Sequence, residues 1–349
     1  MKFIDLHCDT ITKIQKLETD FETPGTMDVT LPEMDKAGVC LQVFACCNIG
    51  EQSPEQEFET CLEMVKGVKS LVETHKDKLF LVQNTEEAES ACLSDDKIGI
   101  LIAIEGAAAL NGDPEKIKFF FDQGVRLLTL AWSDNPFCGS VFGNGSGLTD
   151  KGKNLVELCE ALGIIVDVSH ASDQAFYDLL PIAKRPFVAS HSNARTICPN
   201  ERNLTDDMIH KISDQGGLIG INFASEFLSP ETYEQGDEAR KIFEAATKAK
   251  EIPYDEAMKK IIKIMDKIPR PSIEWIPRHV KHIINHGGED CVCFGSDFDG
   301  IVSKPEGVDG VGSFPKIADH LQKEGLIPRQ IEKIYRENAA RIFKYLPST

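Results

Sequence analysis

Six side chains of this sequence, His7, Asp9, Glu105, His170, His191 and Asp297, are of types suited to holding divalent metal and moving a proton beside it. His7 and Asp9 follow the apolar run Phe3-Ile-Asp-Leu6. Residues two apart on an extended strand point to the same side, so this imidazole and carboxylate could grip one ion while Cys8 faces away. Glu105 ends the run Ile98–Ile104, His170 follows Ile164–Val168 through Ser169, and His191 follows Phe187-Val-Ala189 through Ser190. Asp297 opens the segment Asp297-Phe-Asp-Gly300 behind Val292–Ser296, where Asp299 could add a further carboxylate. Taken singly, each has an ordinary explanation as a cap, a turn former or a satisfied core histidine. Taken together, three of the nine histidines and three carboxylates at the ends of apolar runs form a ligand set.

The number of ligands points to two ions. Glu105 has two oxygens and can bridge, so His7, Asp9 and Glu105 would hold one metal while Glu105, His170 and His191 hold the other, about 3.5–4 Å away. A hydroxide between the two is the natural nucleophile. Nitrogen and oxygen donors without thiolate suit zinc, and manganese or cobalt would fit the same set. Asp297 then need not be a ligand: beside the bridging water it is placed to take a proton and return it to a leaving group. The other six histidines (His75, His210, His279, His282, His286 and His320) fall in helical or loop contexts. Of these, only His279 and His282, three apart on one helical face, carry a weak ligand signal.

Such residues converge only if the runs that precede them lie side by side. Eight short runs rich in Val, Ile and Leu recur, at 2–6, 39–46, 98–104, 125–130, 164–168, 187–190, 218–223 and 292–296. Between them lie amphipathic stretches such as 54–73, 114–123, 151–162, 173–183 and 205–215, with apolar residues three and four apart. This alternation predicts a (β/α)8 barrel, a fold whose strands bring their carboxyl ends to one mouth. Glycine ends a helix just before the next strand at Gly124, Gly163 and Gly216. The longest gap, 224–291, reads as a helical insertion over the mouth of a single 349-residue domain, with Pro253 and Pro269 breaking its helices. Residues 328–345 read as a closing helix.

Composition narrows the partners. The formal charge of −18 excludes nucleic acid and anionic membrane surfaces, which need a basic face. No apolar run approaches a membrane span, so the expectation is a soluble, cytoplasmic protein acting on a small molecule, with a second copy of the chain as the one macromolecular partner left open. The eleven cysteines lie in apolar settings and read as reduced core thiols, and Cys46, Cys47, Cys291 and Cys293 lack the paired spacing of a structural zinc site.

Six segments together resemble the zinc dipeptidases of the renal (membrane) dipeptidase family, within the metal-dependent amidohydrolase superfamily. They are Asp5-Leu-His-Cys-Asp-Thr10, Ile104-Glu-Gly106, Asp167-Val-Ser-His170, Ser190-His-Ser192, Glu201-Arg-Asn203 and Gly295-Ser-Asp-Phe-Asp-Gly300, spread over nearly the whole chain. The resemblance implies a (β/α)8 barrel with two Zn2+, a bridging Glu105 and Asp297 as the acid/base. It also implies that Arg202 contacts the substrate's free carboxylate. Mammalian members carry a histidine after the fourth strand that helps bind the reacting carbonyl. This chain has no histidine between His75 and His170, and Trp132 stands about there, which leaves that task to the metal or to a neighbour such as Asn135. The expected activity is hydrolysis of dipeptides, including ones with a D-residue second, by a metal-bridging hydroxide. The alternatives are another amide or a lactone as substrate, such as an N-acyl amino acid, and, more remotely, a non-catalytic metal-binding scaffold.

Overall fold

The computed structural model describes residues 1–17, 19–47, 53–93 and 96–348. Its sheet has nine parallel strands: β1 (Phe3–Cys8), β2 (Val39–Cys47), β3 (Leu79–Leu81), β4 (Ile98–Glu105), β5 (Val125–Thr129), β6 (Ile165–Asp167), β7 (Val188–Ala189), β8 (Leu218–Ile221) and β9 (Val292–Phe294). Eight of them close into a barrel in the order β1, β2, β4, β5, β6, β7, β8, β9 and back to β1. The expected (β/α)8 barrel is therefore present, and all eight expected runs are barrel strands. The ninth strand, β3, pairs with the first half of β4 before β5 takes over that edge from Ile102 onward.

Alternation along the strands fixes which side chains point inward. On β4, Leu101 and Ala103 pack into the inner cluster with Leu41, Val43, Leu127, Val188 and Leu218, whereas Ile98, Ile100, Ile102 and Ile104 pack outward under the helices. Glu105 continues the inward series and emerges at the carboxyl end of the barrel. The other end is stoppered by Ala339, Ile342, Phe343 and Leu346 of the helical C-terminal segment.

The helices start and stop where side chains satisfy their ends. Thr149 caps Asp150–Leu162 by accepting from the Gly152 N–H, and Gly163 closes it at φ 79° with its N–H on the carbonyls of Cys159 and Glu160. Gly124 and Gly216 hold the same left-handed conformation at the other two expected junctions.

The stretch between β8 and β9 divides in two. Ser225–Leu228, Pro230–Gln235, Asp237–Thr247 and Tyr254–Met265 contribute side chains to a cavity over the mouth, and the last two share a small core of Ala239, Ala257, Ile261 and Met265. Trp275–Gly287, in contrast, packs with β8, β9 and the helix Asp206–Asp214 as the barrel's own helix. The roof is thus shorter than 224–291. Among the described residues no helix is long and apolar enough to cross a membrane. All eleven cysteines are buried and unpaired.

Candidate metal centre

Seven strands deliver polar side chains to one mouth. His7 stands near the end of β1 with Asp9 just beyond it, Glu105 is the last residue of β4, and His170, His191 and Asp297 follow β6, β7 and β9 within three residues. Trp132 and Asn222 follow β5 and β8. At His170 and Asp297 the backbone enters the left-handed region, with φ of 65° and 62°. Side chains other than glycine seldom adopt it, and here it turns the chain sharply at the strand end.

The donors converge on Glu105. Its Oε1 lies 2.9 Å from His170 Nε2 and 3.4 Å from His191 Nε2, and its Oε2 lies 3.6 Å from His7 Nε2. His7 Nε2 is also 3.5 Å from Asp9 Oδ2, and the Nε2 atoms of His170 and His191 are 2.9 Å apart. His7, Asp9 and Asp297 offer a further group of donor atoms all within 4.8 Å of one another. Cys47, which pairs with Glu105 in the β2–β4 register, forms another such group with Asp9 and Glu105.

This packing concentrates negative charge. Burial pushes Asp297 well above the usual carboxylate range, reinforced by the charges of Asp9 and Glu105. Burial opposes ionisation of Glu105 too, but the three imidazoles outweigh it and hold the group well below its ordinary value. Burial also opposes protonation of His7, yet Glu105 and Asp9 raise that imidazole well above normal. Burial drives His170 down to about 4 with help from Arg202, and holds His191 well below normal. Three buried carboxylates face imidazoles of which His170 and His191 are held neutral, so the site calls for more positive charge than its side chains supply. Both ring nitrogens of His7, Asp9 Oδ1 and His170 Nδ1 are moreover buried without hydrogen-bond partners. Divalent metal fits this donor set, since it would take up orphaned atoms such as His7 Nε2 and would offset the charge.

The hydrogen bonds behind the ligands fit the same use. Asp167 accepts from Thr129 Oγ1 at 2.6 Å, from the backbone N–H groups of Ser169 and Ser190 at 2.9 Å each, and from Ser190 Oγ at 2.6 Å. Because Ser190 spends its proton on Asp167, its oxygen accepts from His191 Nδ1 at 2.8 Å, which leaves His191 Nε2 as a free donor for metal. Asp5 ties β1 to β9 in a comparable way, accepting from Ser296 N–H at 2.8 Å and Ser296 Oγ at 2.6 Å.

The sequence pattern of the membrane dipeptidase family, peptidase family M19, matches residues 1–348. The chain belongs to that family. It is 28% identical over 349 residues to an uncharacterized dipeptidase of Schizosaccharomyces pombe, covering 95% of this chain and 75% of that one. Among solved structures, a dipeptidase of family M19 superposes with a TM-score of 0.83 at 25% identity, over 99% of this chain and 98% of the other. A metallopeptidase from Rhodobacter sphaeroides, liganded with a phosphinate mimic of the dipeptide L-Ala-D-Ala, has the same fold, with a TM-score of 0.84 at 23% identity over 99% of each chain.

Beside these donors lies a cavity of about 240 Å³, lined by Asp9, Glu105, His170 and Asp297 and covered by the roof helices. One wall is aromatic: Trp132 meets Phe142, Phe243 and Tyr254 edge-on, with ring centroids 5.6–6.2 Å apart. Arg202 enters the cavity with NH1 donating to Ser192 Oγ at 2.7 Å and NH2 to the His191 carbonyl at 2.8 Å, while its buried Nε–H has no partner.

Two expected site residues serve the scaffold instead. Asn135 donates to the carbonyls of Leu130 and Ser133 and accepts from the N–H groups of Phe137 and Cys138. Its side chain is spent on its own loop and is not part of the cavity wall. Asp299 accepts from Thr10 Oγ1, Lys13 Nζ and the Asp28 N–H, so it joins the mouth to the segment around Asp28 and leaves the donors to Asp297. His279 and His282 do not act as a pair. His279 is fully buried, accepting from the Ala194 N–H and facing the Leu228 carbonyl, whereas His282 binds Asp206.

Two residues escaped the sequence reading. Asn222 donates through Nδ2 to Asp297 Oδ2 at 2.8 Å and is itself held by Asn193. An amide inside the otherwise apolar run 218–223 was the available signal. Gly300 lies so close to Asp9 Oδ2 and Asp297 Oδ1 that any side chain there would strike both carboxylates. Its place in Asp297-Phe-Asp-Gly300 marked it only as a turn residue.

Proposed function

We propose that this chain hydrolyses the peptide bond of dipeptides at the centre formed by His7, Asp9, Glu105, His170, His191 and Asp297. The observation that carries the reading is the convergence of three imidazoles on the two oxygens of Glu105, beside a buried arginine that still has donors to give. His7, Asp9 and Glu105 would hold one divalent ion and Glu105, His170 and His191 a second, with zinc proposed as the native metal. When bound, such ions lower the pKa of water toward neutrality and polarise a carbonyl.

The chain's own side chains supply the rest. Arg202 has three N–H donors left after its bonds to Ser192 and His191, enough for a two-point contact with the terminal carboxylate of a dipeptide. Asn222 holds one oxygen of Asp297, and the other lies over Gly300 beside Asp9. In that position Asp297 takes the proton of the attacking water and returns it to the amine that departs. The aromatic wall of Trp132, Phe142, Phe243 and Tyr254 keeps bulk water from the reacting bond. With Asn135 committed to its loop, polarisation of the carbonyl would fall to metal held by His7, Asp9, Glu105, His170 and His191.

A metal-replete screen of L,L- and L,D-dipeptides against N-acyl amino acids and lactones tests the reading. Turnover of dipeptides, with L-Ala-D-Ala among the first to assay, is the expected result. Turnover confined to N-acyl amino acids or lactones would replace the dipeptide with that class.

A further inference from the structure

One carboxylate in the cavity has no use in this scheme. Glu226 stands in the cavity wall on the four-residue helix Ser225–Leu228, and its Oε2 is buried without a hydrogen-bond partner. The cations of that wall have partners other than Glu226. Lys248 lies 3.6 Å from Glu201, Arg240 bonds Asp237 and the Tyr233 carbonyl, and Arg202 bonds Ser192 and His191. Burial with no cation beside it pushes the Glu226 carboxyl up to about 7. A helix this short offers too little dipole to hold a charge, so fold stability gives no reason for an acid here.

Its surroundings indicate which part of a ligand it would meet. The Glu226 carbonyl accepts from Cys198 Sγ and Asn200 Nδ2, each at 3.3 Å, which ties the residue to the loop carrying Arg202. The next residue, Phe227, packs its ring 5.9 Å from the Arg202 guanidinium. Glu226 therefore belongs to the part of the cavity wall that also carries Arg202.

We propose that Glu226 receives a cationic side chain on the C-terminal residue of the substrate, so that dipeptides ending in lysine, ornithine or arginine are favoured. The inference rests on the dipeptide reading and on Arg202 holding the terminal carboxylate. Phe227 offers an apolar surface for the methylene stem, and the ammonium or guanidinium supplies the counter-ion that the buried carboxylate lacks.

The test compares alanyl-lysine with alanyl-norleucine, which keeps the four-carbon stem and lacks the amine. For the metal-replete wild-type chain, kcat/KM should favour the lysine substrate by about ten- to a hundredfold, the span of one charged hydrogen bond. In Glu226→Gln the ratio should fall toward one, and Glu226→Lys should invert it. Because the readout is a ratio within each variant, a poorly folded variant lowers both rates and leaves the ratio intact. A wild-type ratio near one, or a ratio unchanged in Glu226→Gln, overturns the assignment while hydrolysis of alanyl-norleucine keeps the dipeptide reading alive. If neither dipeptide is hydrolysed, both readings fall together.

Discussion

Replacing Arg202 by lysine separates its charge from its shape. Burial draws the guanidinium down to about 10, so the native residue is a cation at any ordinary assay pH. Its NH1 and NH2 each donate once to the protein, at 2.7 Å and 2.8 Å, and Nε–H donates to nothing. A carboxylate meeting the spare donors side-on would form two charged hydrogen bonds, and lysine, a point charge without the planar fork, keeps at most one. A charged hydrogen bond contributes roughly 1.5–3 kcal/mol, so kcat/KM for a free dipeptide should fall by about ten- to a hundredfold in Arg202→Lys. The same substitution also removes the bonds to Ser192 and to the His191 carbonyl, which brace a ligand-bearing strand end. Substrates amidated at the C-terminus isolate that effect because they have no carboxylate to lose. Steady-state kinetics on matched acid and amide pairs therefore gives the decisive ratio. The wild-type chain should prefer the acid, and Arg202→Lys should erase most of that preference. Equal kcat/KM for acid and amide in the wild-type chain, or an equal loss on both in the variant, would reduce Arg202 to a scaffold residue.

Asp297→Asn should lower kcat on the order of 10²–10⁴-fold with metal content little changed, because an amide can hydrogen-bond water but cannot accept its proton. Near wild-type turnover with unchanged metal would contradict the role given to Asp297. His279 makes a prediction about stability: burial pushes its folded pKa from 6.5 down to about 4, so between those values the unfolded chain binds the extra proton. Stability from this residue is complete above pH 6.5 and is lost as pH falls toward 4, by about 3 kcal/mol in all. Denaturant titrations at pH 7 and pH 4.5 should show this loss in the wild-type chain and a smaller one in His279→Gln, and equal losses would refute it.

The barrel was legible because its strands are apolar runs bounded by glycine and polar ends, and these signals are local. β3 is not among the eight expected runs, and it pairs along one edge only, outside the closed barrel. The segment 224–291 reads as a single insertion because Trp275–Gly287, with its lysine and histidines, resembles the charged roof helices in composition. What separates them is their partners, β8 and β9 for one and the cavity for the others, and partners are not written locally. The same limit explains the site. His7, Glu105, His170, His191 and Asp297 follow apolar runs directly and could be found one by one, and the inward series Leu101, Ala103, Glu105 follows from alternation alone. Asn135 and Asp299 also follow strands, yet Asn135 is spent on its own loop and Asp299 on Thr10, Lys13 and Asp28. Asn222 and Glu226 are defined by neighbours distant in sequence, Asp297 at the end of the adjacent strand β9 in one case and the cavity wall in the other.

The central claim is that divalent metal held by the Glu105 cluster drives dipeptide hydrolysis. Elemental analysis of the purified chain, coupled to dipeptide turnover before chelation, after it and on readdition of zinc, tests this most directly. About two ions per chain are expected from a bridging carboxylate with donors on both sides. Activity should vanish with the metal and return with it, and Glu105→Ala should bind less than the wild-type chain. Full dipeptide turnover after all metal has been removed would contradict the account.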